Sequence, residues 1–300
     1  MKKLKNLRQA HNYTQQQLAE MLQTTQQTIA RWETGKADPS LSALRDLAMI
    51  FGTSVDDLLG TNPFSKRLVT NRLHLYEGRS EDDGFWGHLG VLVPGLTYTK
   101  WFPITLSTAD QVSGSLKNIE LHEHWFSVTT LNNRMLAINA LQTRRIWLLD
   151  DACDAPDDWK DIQGEYSGHP LEFYRGLDLL FCDPDNFEKT SSPTYRRIIR
   201  EFVQKNDFDD EKIAKFLRTS HIYMTDGNNV SYLADPEHLY NFIVSIDLGQ
   251  TPKMVHINAC DGEFESFFPA QTLVMVEMPL LDVIETAKED LAQSDGRVSC

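Results

Sequence analysis

Three side chains suited to reading a polar surface lie within six positions of one another: Gln26, Gln27 and Arg31, in the run Thr25-Gln-Gln-Thr-Ile-Ala-Arg-Trp-Glu33. A Gln amide carries a donor and an acceptor together, so it can bond N6 and N7 of one adenine at once. Arg can do the same for guanine or hold a phosphate. Two adjacent Gln in the first turn of a short helix therefore fit base-edge recognition, because such helices enter the major groove by their N-terminal ends. A Gln-Gln pair taken alone is more often a solvated helix face. The residues that position the pair decide between the two readings.

Thr14 and Gln17 have the spacing of a capping box, which predicts a helix starting at Gln15. Leu18, Met21 and Leu22 form its apolar stripe, and the chain breaks at Gln23-Thr24. Thr25 then caps a second helix with Ile29 and Trp32 facing inward, which leaves Gln26, Gln27 and Arg31 outward. Before this pair, Leu4 and Leu7 give a first helix its inner face, while Lys2, Lys3, Lys5 and Arg8 make its outer face basic. After it, Asp38-Pro39-Ser40 opens a fourth helix whose Leu41, Leu44, Leu47, Ala48 and Phe51 pack inward, and Gly52 ends it. Ser54 caps a fifth helix that ends near Leu59.

Residues 3–60 resemble the helix-turn-helix domain of the Cro and lambda-repressor type. The likeness is carried by Leu18-Ala19, Thr25, Ile29, Trp32-Glu33, Gly35-Lys36, Pro39, Leu44, Leu47-Ala48, Gly52 and Leu58-Leu59. The run Thr24-Thr25-Gln26-Gln27 is especially similar to the recognition helix of lambdoid phage repressors. Carried over by position, the resemblance implies that Gln15, Gln26, Gln27 and Arg31 contact DNA. It places Thr25 and Lys36 on phosphates and Thr28 on the same surface. Two positions depart from the family. Gln23 stands where Gly is common, at a left-handed position costing a non-Gly residue roughly 1 kcal/mol. Thr34 stands where Asn is common.

The chain has 300 residues, enough for two or three domains, with 41% hydrophobic and 24% charged residues. Its net charge of −14 is unevenly divided. Residues 1–66 hold eight Lys/Arg against six Asp/Glu, and the rest holds 21 against 37. A mildly basic head on an acidic body can bind DNA with strong salt dependence, while the body is unsuited to a second nucleic-acid surface. Cys153, Cys182, Cys260 and Cys300 form no Cys-x-x-Cys pair, so reduced thiols are expected, without a zinc framework or other metal. No apolar run approaches a membrane span of about 20 residues. A cytoplasmic, nucleoid-associated protein that needs no membrane or cofactor is expected.

Beyond a linker at 61–68, strands are expected in Leu73–Tyr76, Leu89–Val93 and Thr97–Phe102, with a short helix over 107–114. Residues 126–149 then align without a gap on residues 255–278. Asn132-Asn133 falls on Asp261-Gly262, both turn dipeptides, and Gln142-Thr143 falls on Gln271-Thr272. Each stretch follows another strand candidate, near Ser115–Leu121 and Tyr240–Leu248. The expectation is two duplicated, small Sm-like β units; chance alignment of two hairpins is the alternative. Between them helices are expected at 193–204 and 210–219, after an acidic run over 150–164 that reads as a solvated loop. A last helix is expected at 281–294. The fold class is thus multidomain, an all-α five-helix head followed by a mixed α+β body. The domain division is 1–60 head, 61–68 linker, 69–150 first β-rich unit, 151–232 acidic loop and helical segment, and 233–300 second β-rich unit with the C-terminal helix.

No catalytic constellation stands out, so a non-enzyme is expected. Many phage-type repressors carry a self-cleaving peptidase, but this chain has no Ala-Gly or Cys-Gly bond to cut. His122-Glu-His124 offers too few ligands for a metal site, and Asp183-Pro-Asp185 and Asp235-Pro-Glu237 read as turns or helix starts. The functional expectation is a sequence-specific transcriptional regulator, acting as a repressor on an inverted-repeat operator in double-stranded DNA. It would be a homodimer whose body dimerises or binds a small-molecule or protein ligand. The alternative is an antitoxin-like or defence-system protein whose body is an effector or interaction module and whose head governs its own promoter.

Overall fold

The computed structural model describes residues 2–61, 85–119, 124–154, 156 and 169–297. The expected linker beyond Thr61, the strand at Leu73–Tyr76, His122 and most of the acidic run lie outside the described residues. Two compact units are present, one built on Met1–Gly84 with His169–Ile213, the other on Phe85–Gly168 with Ala214–Cys300.

The first unit begins with five helices, α1 (Lys2–Ala10), α2 (Gln15–Met21), α3 (Gln26–Glu33), α4 (Leu41–Ile50) and α5 (Val55–Leu59). Local chemistry sets their starts. The hydroxyls of Thr14, Thr25, Ser40 and Ser54 accept from the backbone N–H groups of Gln17, Thr28, Ala43 and Asp57. Each such cap stabilises its helix by about 1 kcal/mol. Leu4, Leu18, Ile29, Trp32, Leu47 and Phe51 share one core. Three inward or outward assignments differ from expectation. Met21 is exposed, because Leu18, Ala19 and Leu22 complete the inner face of this two-turn helix. Leu41 is exposed, since the first residue of α4 precedes its first buried turn. Arg8 turns inward rather than joining a basic outer face, for it has a buried carboxylate partner.

Three further helices complete this unit: α7 (Leu171–Cys182), α8 (Pro184–Thr190) and α9 (Pro193–Lys205). The sequence pattern predicts α9 in full and, through Asp183-Pro-Asp185, a turn or helix start where α8 begins, but not α7. Asp183 caps α8 through Asn186 N–H and Ser192 caps α9 through Tyr195 N–H, each with Pro opening the helix. Gly176 lets α7 and α9 approach closely, since a Cβ there would lie 2.6 Å from the Tyr195 hydroxyl. These helices meet α4 and α5 through a buried polar network. Glu172 lies 3.5 Å from Arg45, and its carboxylate accepts from Val55 N–H at 3.3 Å. Arg175 pairs with Asp56, and Ser192 donates to Asp46 at 2.7 Å. Burial pushes Glu172 up to about 7 against the opposing pull of Arg175, Val55 N–H and Arg45.

The second unit contains β1 (Phe85–Leu92), β2 (Lys100–Thr105), α6 (Leu106–Lys117), β3 (Trp125–Thr129), β4 (Arg134–Asn139) and β5 (Arg145–Asp150). After α10 (Asp210–Arg218), which leads into it, come β6 (Thr219–Met224), β7 (Asn229–Leu233) and α11 (Pro236–Asp247). It closes with β8 (Met254–His256), β9 (Phe267–Pro269), β10 (Leu273–Pro279) and α12 (Leu280–Arg297). The antiparallel sheets run β2-β1-β5, β3-β4-β10-β6-β7 and β8-β9. Leu89, Phe102, Val112, Leu136, Ile138 and Met275 share one core, so the two larger sheets and α6 pack together.

Strand pairing differs from the expected pair of separate small barrels. The two aligned stretches contribute to one sheet, with β4 and β10 hydrogen-bonded neighbours, while β5 pairs with β1 elsewhere. Matched positions also differ in environment: Met135 and Ile138 are buried, whereas Phe264 and Phe267 are exposed. The stretches expected as strands near Ser115–Leu121 and Tyr240–Leu248 begin in α6 and lie mostly in α11 instead. Apolar residues at helical spacing decide the latter, since Leu239, Tyr240, Phe242, Ile243 and Ile246 are all buried. Inside the core, Glu277 of β10 meets Lys100 at 2.5 Å and Arg134 at 3.4 Å. Burial works against its charge, yet Lys100 and Arg134 hold its carboxyl well below the usual range.

Candidate nucleic-acid interface

The turn between α2 and α3 sets the direction of the polar face. Gln23 adopts φ 51°, the left-handed conformation, and Thr24 N–H bonds back to Ala19 at 2.9 Å. Thr25 then starts α3, its hydroxyl accepting from Thr28 N–H at 3.1 Å and lying 2.9 Å from the Thr28 hydroxyl. At the other end, Gly35 is left-handed at φ 71°, with Gly35 N–H on Trp32 and Lys36 N–H on Arg31. That double bond is a Schellman cap, which satisfies the last carbonyls of α3.

Ile29 and Trp32 hold α3 to the core, so helical spacing delivers Gln26, Gln27 and Arg31 to solvent. Thr25 and Lys36 are exposed at its two ends, and Thr28 is half-buried. Gln15 is half-buried at the start of α2 and bonds in both directions. Its amide donates to Glu33 at 2.8 Å, and its carbonyl is 3.5 Å from the Gln26 amide nitrogen. Gln15 and Gln26 are therefore brought together, although eleven residues separate them. Gln27 and Arg31 share the exposed face of α3.

Beneath this surface lies a pair that the sequence alone does not connect. Arg8 donates to Glu33 through Nε at 2.5 Å and Nη2 at 3.2 Å, and Nη1 reaches the Tyr13 carbonyl at 2.8 Å. Burial opposes the charge on Glu33, but Arg8, Gln15 and the nearby Lys5 outweigh it and hold its carboxyl below the ordinary value. A persistent anion inside the head therefore orients the Gln15 amide nitrogen inward. The Gln15 oxygen is left facing Gln26. In the sequence Arg8 is one more cation of a basic helix, and its partner lies 25 residues away.

A helix-turn-helix family model matches residues 4–58. An uncharacterised HTH-type transcriptional regulator of Methanocaldococcus jannaschii is 45% identical over 56 residues, which are 19% of this chain and 85% of that protein. The chain belongs to the Cro and lambda-repressor type of helix-turn-helix family. The HTH-type transcriptional activator BcrR of Enterococcus faecalis is 40% identical over 57 residues, 19% of this chain and 28% of BcrR. A prophage-derived HTH-type regulator of Bacillus subtilis, YonR, is 42% identical over 57 residues, 19% of this chain and 53% of its own length. No solved structure matches the chain. The matches thus cover the head alone; one of these relatives is named a transcriptional activator and the others transcriptional regulators. Among the described residues, no group of three His, Cys, Asp or Glu is arranged to hold a metal, and no helix is long and apolar enough to cross a membrane.

Proposed function

We propose that this helix-turn-helix protein binds double-stranded DNA in a sequence-specific way and regulates transcription as a repressor. The observation that carries the proposal is the outward row of Gln26, Gln27 and Arg31 on a helix fixed at both ends and anchored by Trp32. In this reading α3 enters the major groove. Gln26 and Gln27 read base edges, and Arg31 reads guanine or holds a phosphate. Gln15 supports Gln26 and bonds the backbone beside it. Thr25, Thr28 and Lys36 secure phosphates and so set the register without reading sequence.

One small head buries too little DNA for strong specificity. The proposed active form is therefore a homodimer, placing two α3 helices about 34 Å apart on an inverted repeat. The acidic body supplies the dimer contact, a sensing surface or both, and no catalytic step is assigned to it. Its charge directs the DNA to the head, which keeps the balance of eight basic to six acidic side chains over residues 1–66. The proposed location is the cytoplasm, at the nucleoid. Selection of bound sequences from a random DNA pool tests the reading. A recovered inverted repeat with half-sites one helical turn apart is expected, and sedimentation should show a dimer on it. An unselective pool, or a monomer both on and off DNA, would overturn it.

A further inference from the structure

The second unit carries an apolar, acid-flanked surface that DNA binding leaves unused. In the β8–β9 ribbon, Met254 faces Pro269, Val255 faces Phe268 and His256 faces Phe267. Strand alternation buries Val255 and sends Met254 and Phe267 outward, where they are 48% and 55% exposed. His256 stacks on Phe267 with ring centroids 4.4 Å apart. The loop joining the two strands holds Phe264, 43% exposed, edge-on to Tyr232 of β7 at 5.1 Å. Val230, one alternation before Tyr232, is exposed as well. β7 is the outermost strand of the five-stranded sheet. Single exposed apolar residues are ordinary, but such a group on neighbouring strand segments marks a binding surface.

The loop of the ribbon is acidic, while Lys253, which precedes Met254, is a cation at its start. Asp261, Glu263 and Glu265 are all exposed and flank Phe264 in the loop. A partner must therefore bring positive charge together with apolar side chains. Exposed Val230 and half-buried Tyr232 on β7, and exposed Met254 and half-buried His256 on the ribbon, lie at every second residue, the spacing that an extended chain can match.

We propose that this face docks an extended cationic segment of a partner protein, with Lys or Arg alternating with apolar residues. A second copy of this chain is a poor occupant, because an isologous contact would set Asp261, Glu263 and Glu265 against their own copies. DNA carries the wrong sign. The inference rests on the reading of the body as a sensing surface, and it is independent of which DNA the head reads.

The test uses the full chain and dye-labelled eight-residue peptides followed by fluorescence anisotropy. One peptide alternates Lys with Leu, and the controls alternate Glu with Leu and Lys with Ser. Saturable binding of the Lys/Leu peptide is expected, at least tenfold tighter than either control and weakened by salt. Two variants at exposed positions, Phe264→Ser with Phe267→Ser and Glu263→Lys with Glu265→Lys, should each weaken it at least tenfold while the melting profile stays unchanged. No saturable binding, equal binding by the Glu/Leu or Lys/Ser peptide, or unaltered binding by either variant would overturn the proposal. So would self-association that the Phe substitutions abolish in sedimentation. DNA binding by the same samples is read in parallel. Its failure in the wild type would refute the head's role and leave the peptide result standing on its own.

Discussion

Replacing Glu33 by Ala should damage the head far more than an exposed charge would. The carboxylate is 4% exposed and its Arg8 partner 11%, so both ions are largely withdrawn from water. Removing one member leaves Arg8 with the Tyr13 carbonyl as the remaining partner that its guanidinium bonds are shown to reach. Breaking a buried pair in this way costs about 3–5 kcal/mol. Amide hydrogen exchange on the full chain measures the effect locally, without assuming that both units unfold together. Protection of the core amides in α1–α3 should fall by roughly a hundredfold to several thousandfold, at about 1.4 kcal/mol per tenfold. Arg8→Ala should cost a similar amount, and the double variant should be much less destabilised than the sum of the two. Acid gives a second signature. The folded carboxyl sits below its ordinary value, so the pair's stabilisation is present above the unfolded value of about 4.5 and is lost as pH falls through the folded one. A loss under 1 kcal/mol in Glu33→Ala, or strict additivity with Arg8→Ala, would refute the reasoning.

Gln23→Gly should stabilise the head by about 0.5–1 kcal/mol by relieving the left-handed backbone at φ 51°, and an unchanged or lowered exchange protection in α2 and α3 would contradict this. The raised carboxyl of Glu172 predicts the opposite pH trend from Glu33. Its ionisation penalty is absent below the unfolded value of about 4.5, grows with pH and is complete above about 7. Protection of amides in α5 and α7, corrected for intrinsic exchange, should therefore fall between pH 5 and 8, and Glu172→Gln should flatten that slope. In the second unit, Glu277→Ala leaves Lys100 and Arg134 without their shared carboxylate and should cost about 3–5 kcal/mol in urea unfolding of that unit. A near-neutral variant would show that the network is not needed.

What was legible in the sequence is what neighbouring residues decide among themselves. Thr14 with Gln17, Thr25, Ser40 and Ser54 announce helix starts because a cap bonds only three residues ahead. The outward placement of Gln26, Gln27 and Arg31 follows from Ile29 and Trp32 by helical period alone. Long-range pairing leaves no such trace. Arg8 reads as one more cation of a basic helix until Glu33 is beside it. Glu172 meets Arg45 across 127 positions, so the contact between α7 and the head could not be anticipated. Missing α7 has a local cause as well: Pro170 at its start offers no side-chain cap, and Gly176 interrupts its middle. The helix that contains most of Tyr240–Leu248 carries its own start signal, since Asp235-Pro236-Glu237 caps and opens it. The two aligned stretches illustrate a different limit. Alternating apolar residues predict strands, but they do not say which strands become neighbours, and β5 and β10 joined different sheets.

The central claim is that the outer face of α3 reads sequence, and Gln27→Ala tests it most directly. Its affinity is to be compared with that of the wild type, on the selected operator and on random DNA at one salt concentration. A loss of about 1–3 kcal/mol on the operator with random-DNA binding unchanged is expected, because a bidentate amide contact is worth that much discrimination. Equal weakening on both DNAs, or no loss on either, would contradict it.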